Sequence, residues 1–370
     1  MDFELDTEQA MLRDSARRYF EKMDSQPSEK NDLWPGIVAL GWPALAVPEY
    51  AGGLGGSLAD LTLLCAEIGR ACSPLPFIGC SVLPARIAAG WRSAPWSEMV
   101  LSGIADGSLR PAVALLESGR RYDARARGLR AEPAPGGWRL TGSKVLVAGY
   151  AEGAGLLASV STDDASAPCQ GWVFLPRHLP GLEAHTYEAI DGTVWADLQF
   201  DGVEIPHESL SMLDADGALA LEAALDDATV CQCAQLIGGM ERALELTIAH
   251  LKVRQQFGQA LAQFQSLQHA VAEMSIDIND CRSILFHALA ALGGPPLLRA
   301  RAVSACRIKV MRTAKNVNGM AIHLHGGIGV TCEYPVGHYL RQTLVIERTF
   351  GDDASHLRRY RNAATPEPTL

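Results

Sequence analysis

From Leu251 to Met274 the chain reads LKVRQQFGQALAQFQSLQHAVAEM, a stretch whose residue types suit the holding of a planar, phosphate-bearing ligand. Arg254, Gln255, Gln256, Phe257 and Gly258 occupy a short turn that interrupts two long helical patterns. A second set of amides, Gln263, Gln265 and Gln268, follows at the start of the next helix. A guanidinium can fork onto a pyrophosphate, and an aromatic ring can cover a heterocycle. By chemistry alone, a solvated corner between helices is the commoner use of such residues. The elements around the turn have to decide.

A chain of 370 residues exceeds one simple core and suits two or three packed domains. Hydrophobic residues make up 48% and charged residues 20%, a composition without the signature of disorder. A net charge of −10 argues against nucleic acid as a partner. No apolar run reaches the length of a membrane span, and the start MDFELDTEQA is too acidic and polar for a signal peptide. Nine cysteines lie mostly in apolar helical text (Cys65, Cys72, Cys281, Cys306), with Cys231 and Cys233 two apart; none has zinc-ligand spacing. They read as reduced thiols, and the expected location is the cytoplasm.

The first hundred residues read as helices. Asp6-Thr7-Glu8 precedes Met11, Leu12, Ala16 and Phe20 at helical spacing, and Ser57 or Asp60 suits the cap of a helix carrying Leu61, Leu64, Cys65 and Ile68. LGWPALAVPEYAGGLGGSLAD, residues 40 to 60, reads as a long shaped loop. At Pro111 the period changes from 3.6 to 2: AVALLES, WRLTGSKVLVA, GLLASVS, GWVFLP and VWADLQFDGVEI read as strands. From Gly217 the helical period returns in stripes such as Leu236, Met240, Leu244, Ile248 and Leu251. The expected fold is mainly α with a central β domain: an N-terminal helical domain (1–108), a middle β-sandwich or barrel (109–212) and a C-terminal four-helix bundle (213–370).

This order, with four motifs, resembles the acyl-CoA dehydrogenase family over nearly the whole chain. The motifs are LGWPALAVPEYAGGLGG, FDGVEIP (Phe200 to Pro206), VRQQFGQALAQFQSLQ and HLHGGIGVTCEYPVGHYLRQT (His323 to Thr343). The resemblance implies FAD as cofactor, an acyl-CoA thioester as substrate, oxidised at its α and β carbons, and an electron-transfer flavoprotein or similar acceptor. It also implies that Arg254, Phe257 and Gln265 reach across a subunit interface to the ADP half of a neighbour's FAD. Gly326 and Gly327 would let backbone approach that cofactor, and His323 stands where the family usually has Gln.

The chain departs from the family where chemistry is expected. Phe350 stands directly before Gly351, in place of the family's usual catalytic Glu, and Ala228 occupies the alternative Glu position. No catalytic residue is therefore assigned. Asp226, Asp227, Glu347, Asp352 and Asp353 are the carboxylates nearby. Where the family's β domain offers hydroxyl donors and a Trp to the flavin ring, this chain has Leu116-Glu117-Ser118, Leu146 and Ala148. Both losses fall on the half-site a subunit uses for its own catalysis. The resemblance is thus closest to the base-lacking small subunit of heteromeric (α2β2) acyl-CoA dehydrogenases of steroid side-chain or ring degradation, or of the pimeloyl-CoA type. The alternatives are a self-sufficient homomeric dehydrogenase with a relocated base among Glu347, Asp352 and Asp353, oxygen-dependent flavin chemistry on the same fold, and a non-catalytic structural partner.

Overall fold

The computed structural model describes residues 5–24, 33–120, 122–123, 128–150, 153–162, 169–212 and 215–364. Six helices come first: α1 (Thr7–Asp24), α2 (Trp34–Ala39), α3 (Trp42–Leu45), α4 (Leu58–Arg70), α5 (Leu83–Gly90) and α6 (Ser97–Ala105). Eight strands follow: β1 (Pro111–Ala114), β2 (Arg130–Ala134), β3 (Gly137–Ala148), β4 (Gly155–Thr162), β5 (Cys169–Pro176), β6 (Leu182–Glu188), β7 (Val194–Pro206) and β8 (Leu210–Met212). The long helix α7 (Ala215–Val253) leads to a two-stranded hairpin, β9 (Gln255–Gln256) and β10 (Gln259–Ala260). Then come α8 (Gln265–Ala291), α9 (Pro296–His325), α10 (Val336–Ile346) and α11 (Asp353–Ala364). The expected fold class, helical, then β, then a helical bundle, is the one observed. Among the described residues no helix is long and apolar enough to cross a membrane, and no cluster of three or more His, Cys, Asp or Glu is arranged to hold a metal.

The chain forms two compact units. One holds Asp32–Ser57 and Pro74–Ala228. Its sheet runs β6-β7-β3-β2-β4-β5-β8, with β1 paired in parallel to β4. β4, GLLASVST, is buried at every position because β1 and β2 run parallel beside it and β5 antiparallel. Leu129, Leu140, Leu156, Val160, Leu198 and Phe200 fill the core of the sheet. In the helical part of this unit, Pro sits in the first turn of α2, α3 and α5, where its missing N–H costs nothing.

The other unit holds Met1–Asn31, Leu58–Ser73 and Thr229–Leu370. Asp6 caps α1 by accepting the Gln9 N–H (2.8 Å). Arg17 of α1 forks onto the buried Glu67 of α4, with contacts of 2.7 and 3.1 Å. Across the bundle Arg282 of α8 reaches Glu241 of α7 (2.7 Å), and Asn318 of α9 donates to Thr343 Oγ1 of α10 (2.9 Å). α9 buries 15 of its 30 residues, between Ala300 and His325.

Candidate functional site

The turn after α7 is a hairpin. The His250 carbonyl accepts the Arg254 N–H, and the Arg254 carbonyl accepts the Leu261 N–H, both at 2.9 Å. Gln256 pairs with Gln259 and Gln255 with Ala260, leaving Phe257 and Gly258 as a two-residue loop. Both lie at positive φ, 51° and 81°, the twist a tight hairpin requires. Glycine adopts it freely; a phenylalanine there is strained by about 1–2 kcal/mol. The Phe257 ring is 89% exposed and touches Phe264 edge-on at 6.1 Å. Arg254 and Gln265 are exposed as well, whereas Gln268 is used locally, donating to the Ala262 carbonyl (2.8 Å).

The end of α9 lies beside this hairpin. The His250 ring, in the last turn of α7, stacks at 4.5 Å on His325, in the last turn of α9; Tyr334 packs 4.9 Å from His325. This ring cluster places Arg254 and Phe257 at the same end of the bundle as His323, Gly326 and Gly327, all exposed. Gly326 stops α9 at φ 65°, ψ −141°, a conformation reserved for glycine. At Gly327 a side chain would meet nothing within 4 Å, so its open backbone face is available to a ligand or a neighbouring chain. The sequence reading missed His250, His325 and Tyr334. Their only sequence signal is a histidine in the last turn of each of two helices.

The loop to which the resemblance assigns the base is tightly built and has Phe350 directly before Gly351. Phe350 has φ 51°, and its carbonyl lies 3.0 Å from Nε2 of the buried His356. Gly351, at φ 114°, has no room for a side chain: a Cβ would lie 2.7 Å from that same nitrogen. Just upstream, the buried Arg307 donates to the carbonyls of Ile346 (2.7 Å) and Thr349 (3.0 Å). Every carboxylate that sequence reading offered near this loop has a structural partner. Lys315 donates to Glu347. Asp352 caps α11 by accepting the Ser355 N–H at 2.8 Å, and Arg312 holds Asp353 at 2.7 Å. In the other unit Ala228 is fully buried, Asp226 is 1% exposed, and Asp227 pairs with Arg86 at 3.1 Å.

In the β unit, Glu117 is turned into the core. It accepts the backbone N–H groups of Gly128 (2.7 Å) and Leu129 (3.1 Å) and the ammonium of Lys144 (2.8 Å). Burial alone would raise the Glu117 pKa, but Lys144 and the two amides hold it below the usual carboxylate range. Lys144 is fully buried, and burial lowers its pKa to about 8 against the pull of Glu117. Ser159 Oγ, at 2.9 Å, completes its shell. Leu146 sits on a bulge between Lys144 and Val147, at φ 56° and 38% exposed, its N–H donating to Asp197 (3.0 Å). Neither it, nor Leu116, nor Ala148 brings a side-chain hydrogen-bond donor.

Four non-glycine residues have positive φ among those described: Cys72, Leu146, Phe257 and Phe350. The last three fall on the positions that the sequence resemblance assigned to the flavin cover, the cofactor arm and the base. Such strain persists where the surroundings over-determine the backbone.

In chain order, helices, an eight-stranded sheet and then long helices, with a strained hairpin and a glycine-rich helix end, match the element order of acyl-CoA dehydrogenases. The acyl-CoA dehydrogenase N-terminal domain matches residues 6–90 and the C-terminal domain residues 215–364. A solved structure described as the Tcur3481–Tcur3483 steroid ACAD G363A variant is 30% identical, at a TM-score of 0.82, covering 96% of this chain and 97% of that one. The chain belongs to the acyl-CoA dehydrogenase family. The ChsE4–ChsE5 complex of Mycobacterium tuberculosis (21% identical, TM-score 0.85, 99% and 100% covered) shares the fold. So does PigA with FAD and proline (21%, 0.85, 98% and 99%).

Proposed function

We propose that this chain is one subunit of a heteromeric FAD-dependent acyl-CoA dehydrogenase that supplies the ADP-side contacts for FAD to a partner subunit and has no catalytic base of its own. FAD is the cofactor, and when bound it supplies the hydride acceptor. The residues fit its two halves unequally. Arg254 offers a fork for pyrophosphate, Phe257 an exposed face for a heterocycle, Gln265 and His323 further donors, and Gly326-Gly327 an open backbone. Leu116, Leu146 and Ala148 present no hydroxyl or indole to the flavin ring. The observation that carries the reading is the loop at Phe350-Gly351: an apolar side chain holds the base position, and each carboxylate around it is already committed to an ion pair or a helix cap.

α,β-Dehydrogenation needs a base to take the α-proton as the β-hydride leaves. In the assembly that base belongs to the partner, and this chain binds and orients the cofactor. The substrate is an acyl-CoA thioester of a bulky steroid-derived or dicarboxylic acid. The assembly is an α2β2 heterotetramer in the cytoplasm that passes electrons to an electron-transfer flavoprotein. Likeness to a solved steroid dehydrogenase and to a two-protein complex supports the substrate class and the pairing. The expected result is that co-expression with a base-bearing dehydrogenase subunit gives a yellow, active complex, whereas this chain alone is colourless and inert. A yellow, active homomer would overturn the reading.

A further inference from the structure

The hairpin that carries Arg254 and Phe257 has little of its own to hold it. It has two residues in each strand, an exposed tip, and a strained phenylalanine in the loop. Its anchor is His250, whose carbonyl accepts the Arg254 N–H and whose ring stacks on His325 at 4.5 Å, tilted by 30°. Tyr334 closes the stack from the segment after α9, 4.9 Å from His325 and 6.3 Å from His250.

His325 is 5% exposed. Its Nδ1 lies 2.7 Å from the Ala321 carbonyl, which requires Nδ1 to carry the proton and donate. Nε2 is then the lone-pair nitrogen, buried and making no hydrogen bond of ordinary geometry among the described residues, with the Leu246 carbonyl the one acceptor that offsets a proton added to the ring beyond Ala321. A proton added there puts a cation directly against the His250 ring. Helix C-termini ordinarily favour a charged histidine, and both rings lie in last turns. Burial overrides that preference. It lowers the pKa of His325 although the Ala321 and Leu246 carbonyls pull the other way. It lowers that of His250 too, with His325 and then Arg254 adding to the effect. The titratable and charged groups facing the pair are therefore each other, Tyr334 and Arg254, and no carboxylate among the described residues stands in to balance a second charge.

We propose that the His250–His325–Tyr334 stack is a positioning latch for the cofactor arm that holds only while both imidazoles are neutral, so that mild acid frees the hairpin. In terms of function this rests on the reading of the arm as an FAD contact; the latch itself is a property of the single chain. A group whose pKa is depressed in the latched state stabilises that state above its ordinary pKa and withdraws the stabilisation as pH falls. Opening therefore rises as pH falls below roughly 6.5, by at most about tenfold per pH unit for each imidazole that takes a proton, and levels off once the latched state is itself protonated.

The test is amide hydrogen exchange over residues 250–262 of the full chain alone, from pH 7.5 to 5, corrected for intrinsic rates. The expected result is an increase in opening that sets in below about pH 6.5, is confined to this segment, and is clearly shallower in His325→Phe, which keeps a ring without a proton site and leaves His250 alone to titrate. A flat wild-type profile, or the same slope in His325→Phe, overturns the latch. Should His325→Phe not fold, His250→Phe serves under the same criterion. A separate measurement protects the distinction between latch and arm. If exchange follows pH as described but Arg254→Ala leaves the flavin content of the co-expressed complex unchanged, the latch stands and the FAD reading of the arm falls.

Discussion

Replacing Asp352 by Ala separates a carboxylate that builds the fold from one that does chemistry. Asp352 stands at the N-cap of α11, its Oδ1 2.8 Å from the N–H of Ser355, three residues on, and Ser355 Oγ returns a bond to the Asp352 carbonyl at 2.7 Å. Loss of an Asp cap costs about 1 kcal/mol, within a range of roughly 0.5–2. The charge at the helix N-terminus adds about 0.3–1 kcal/mol, part of it the same interaction. A total of about 1–2 kcal/mol corresponds to roughly a 5- to 30-fold rise in local opening of α11, readable by amide exchange over 353–364. Removing a general base instead costs about 10²–10⁴ in rate. The structural role predicts faster exchange in α11 with turnover of the assembled complex changed by less than about tenfold. Unchanged α11 protection with turnover down more than about a hundredfold would refute the assignment and make Asp352 the relocated base. Glu347→Gln and Asp353→Asn extend the comparison, since Lys315 and Arg312 hold those carboxylates.

Arg254→Ala is expected to strip most flavin from the co-expressed complex while this chain keeps its melting temperature, as checked by absorbance near 450 nm and thermal unfolding; the wavelength is an approximate flavin band, about 450 nm. Phe350→Gly relieves a positive-φ strain of about 1 kcal/mol but gives up a half-buried ring and frees the unfolded chain, so it should lower the melting temperature modestly without changing turnover, since the Phe side chain takes no proton. Glu117→Gln leaves the buried Lys144 ammonium without its counter-charge and is expected to cost about 3–5 kcal/mol, seen as a large drop in the denaturation midpoint. Glu117→Gln combined with Lys144→Met should recover much of that loss.

The long helices were legible because their apolar stripes run for many turns: α7, α8 and α9 lie where the periodicity placed them. β1, β3, β4, β5 and β7 were legible for the same reason at period two. β2 was missed because RAEPA is short, contains a proline and exposes three of its five residues. β6, LEAHTYE, was missed because it is polar on both faces, with five of its seven residues exposed at the edge of the sheet. The arm read as a plain turn, since Phe-Gly lacks the Asn-Gly or Asp-Gly text that announces a two-residue hairpin. That Phe350 stands directly before Gly351 could be read residue by residue. What occupies the neighbouring carboxylates could not, because their partners lie far along the chain: Lys315 is 32 residues from Glu347, and Arg312 is 41 from Asp353. Likewise Glu117 meets Lys144 across 27 residues and His250 meets His325 across a whole helix.

The hairpin has a consequence for the chain before it finds a partner. Phe257 stands 89% exposed, Val253 just before it 78%, and Val330 in the segment after α9 70%. A newly made copy therefore offers adhesive side chains to any other protein in the crowded cell until the proper surface covers them. On the heteromeric reading proposed above, its supply is safest when matched to that of its partner, and any surplus is exposed to misassembly and to proteolytic clearance, which would tie the abundance of the two chains together.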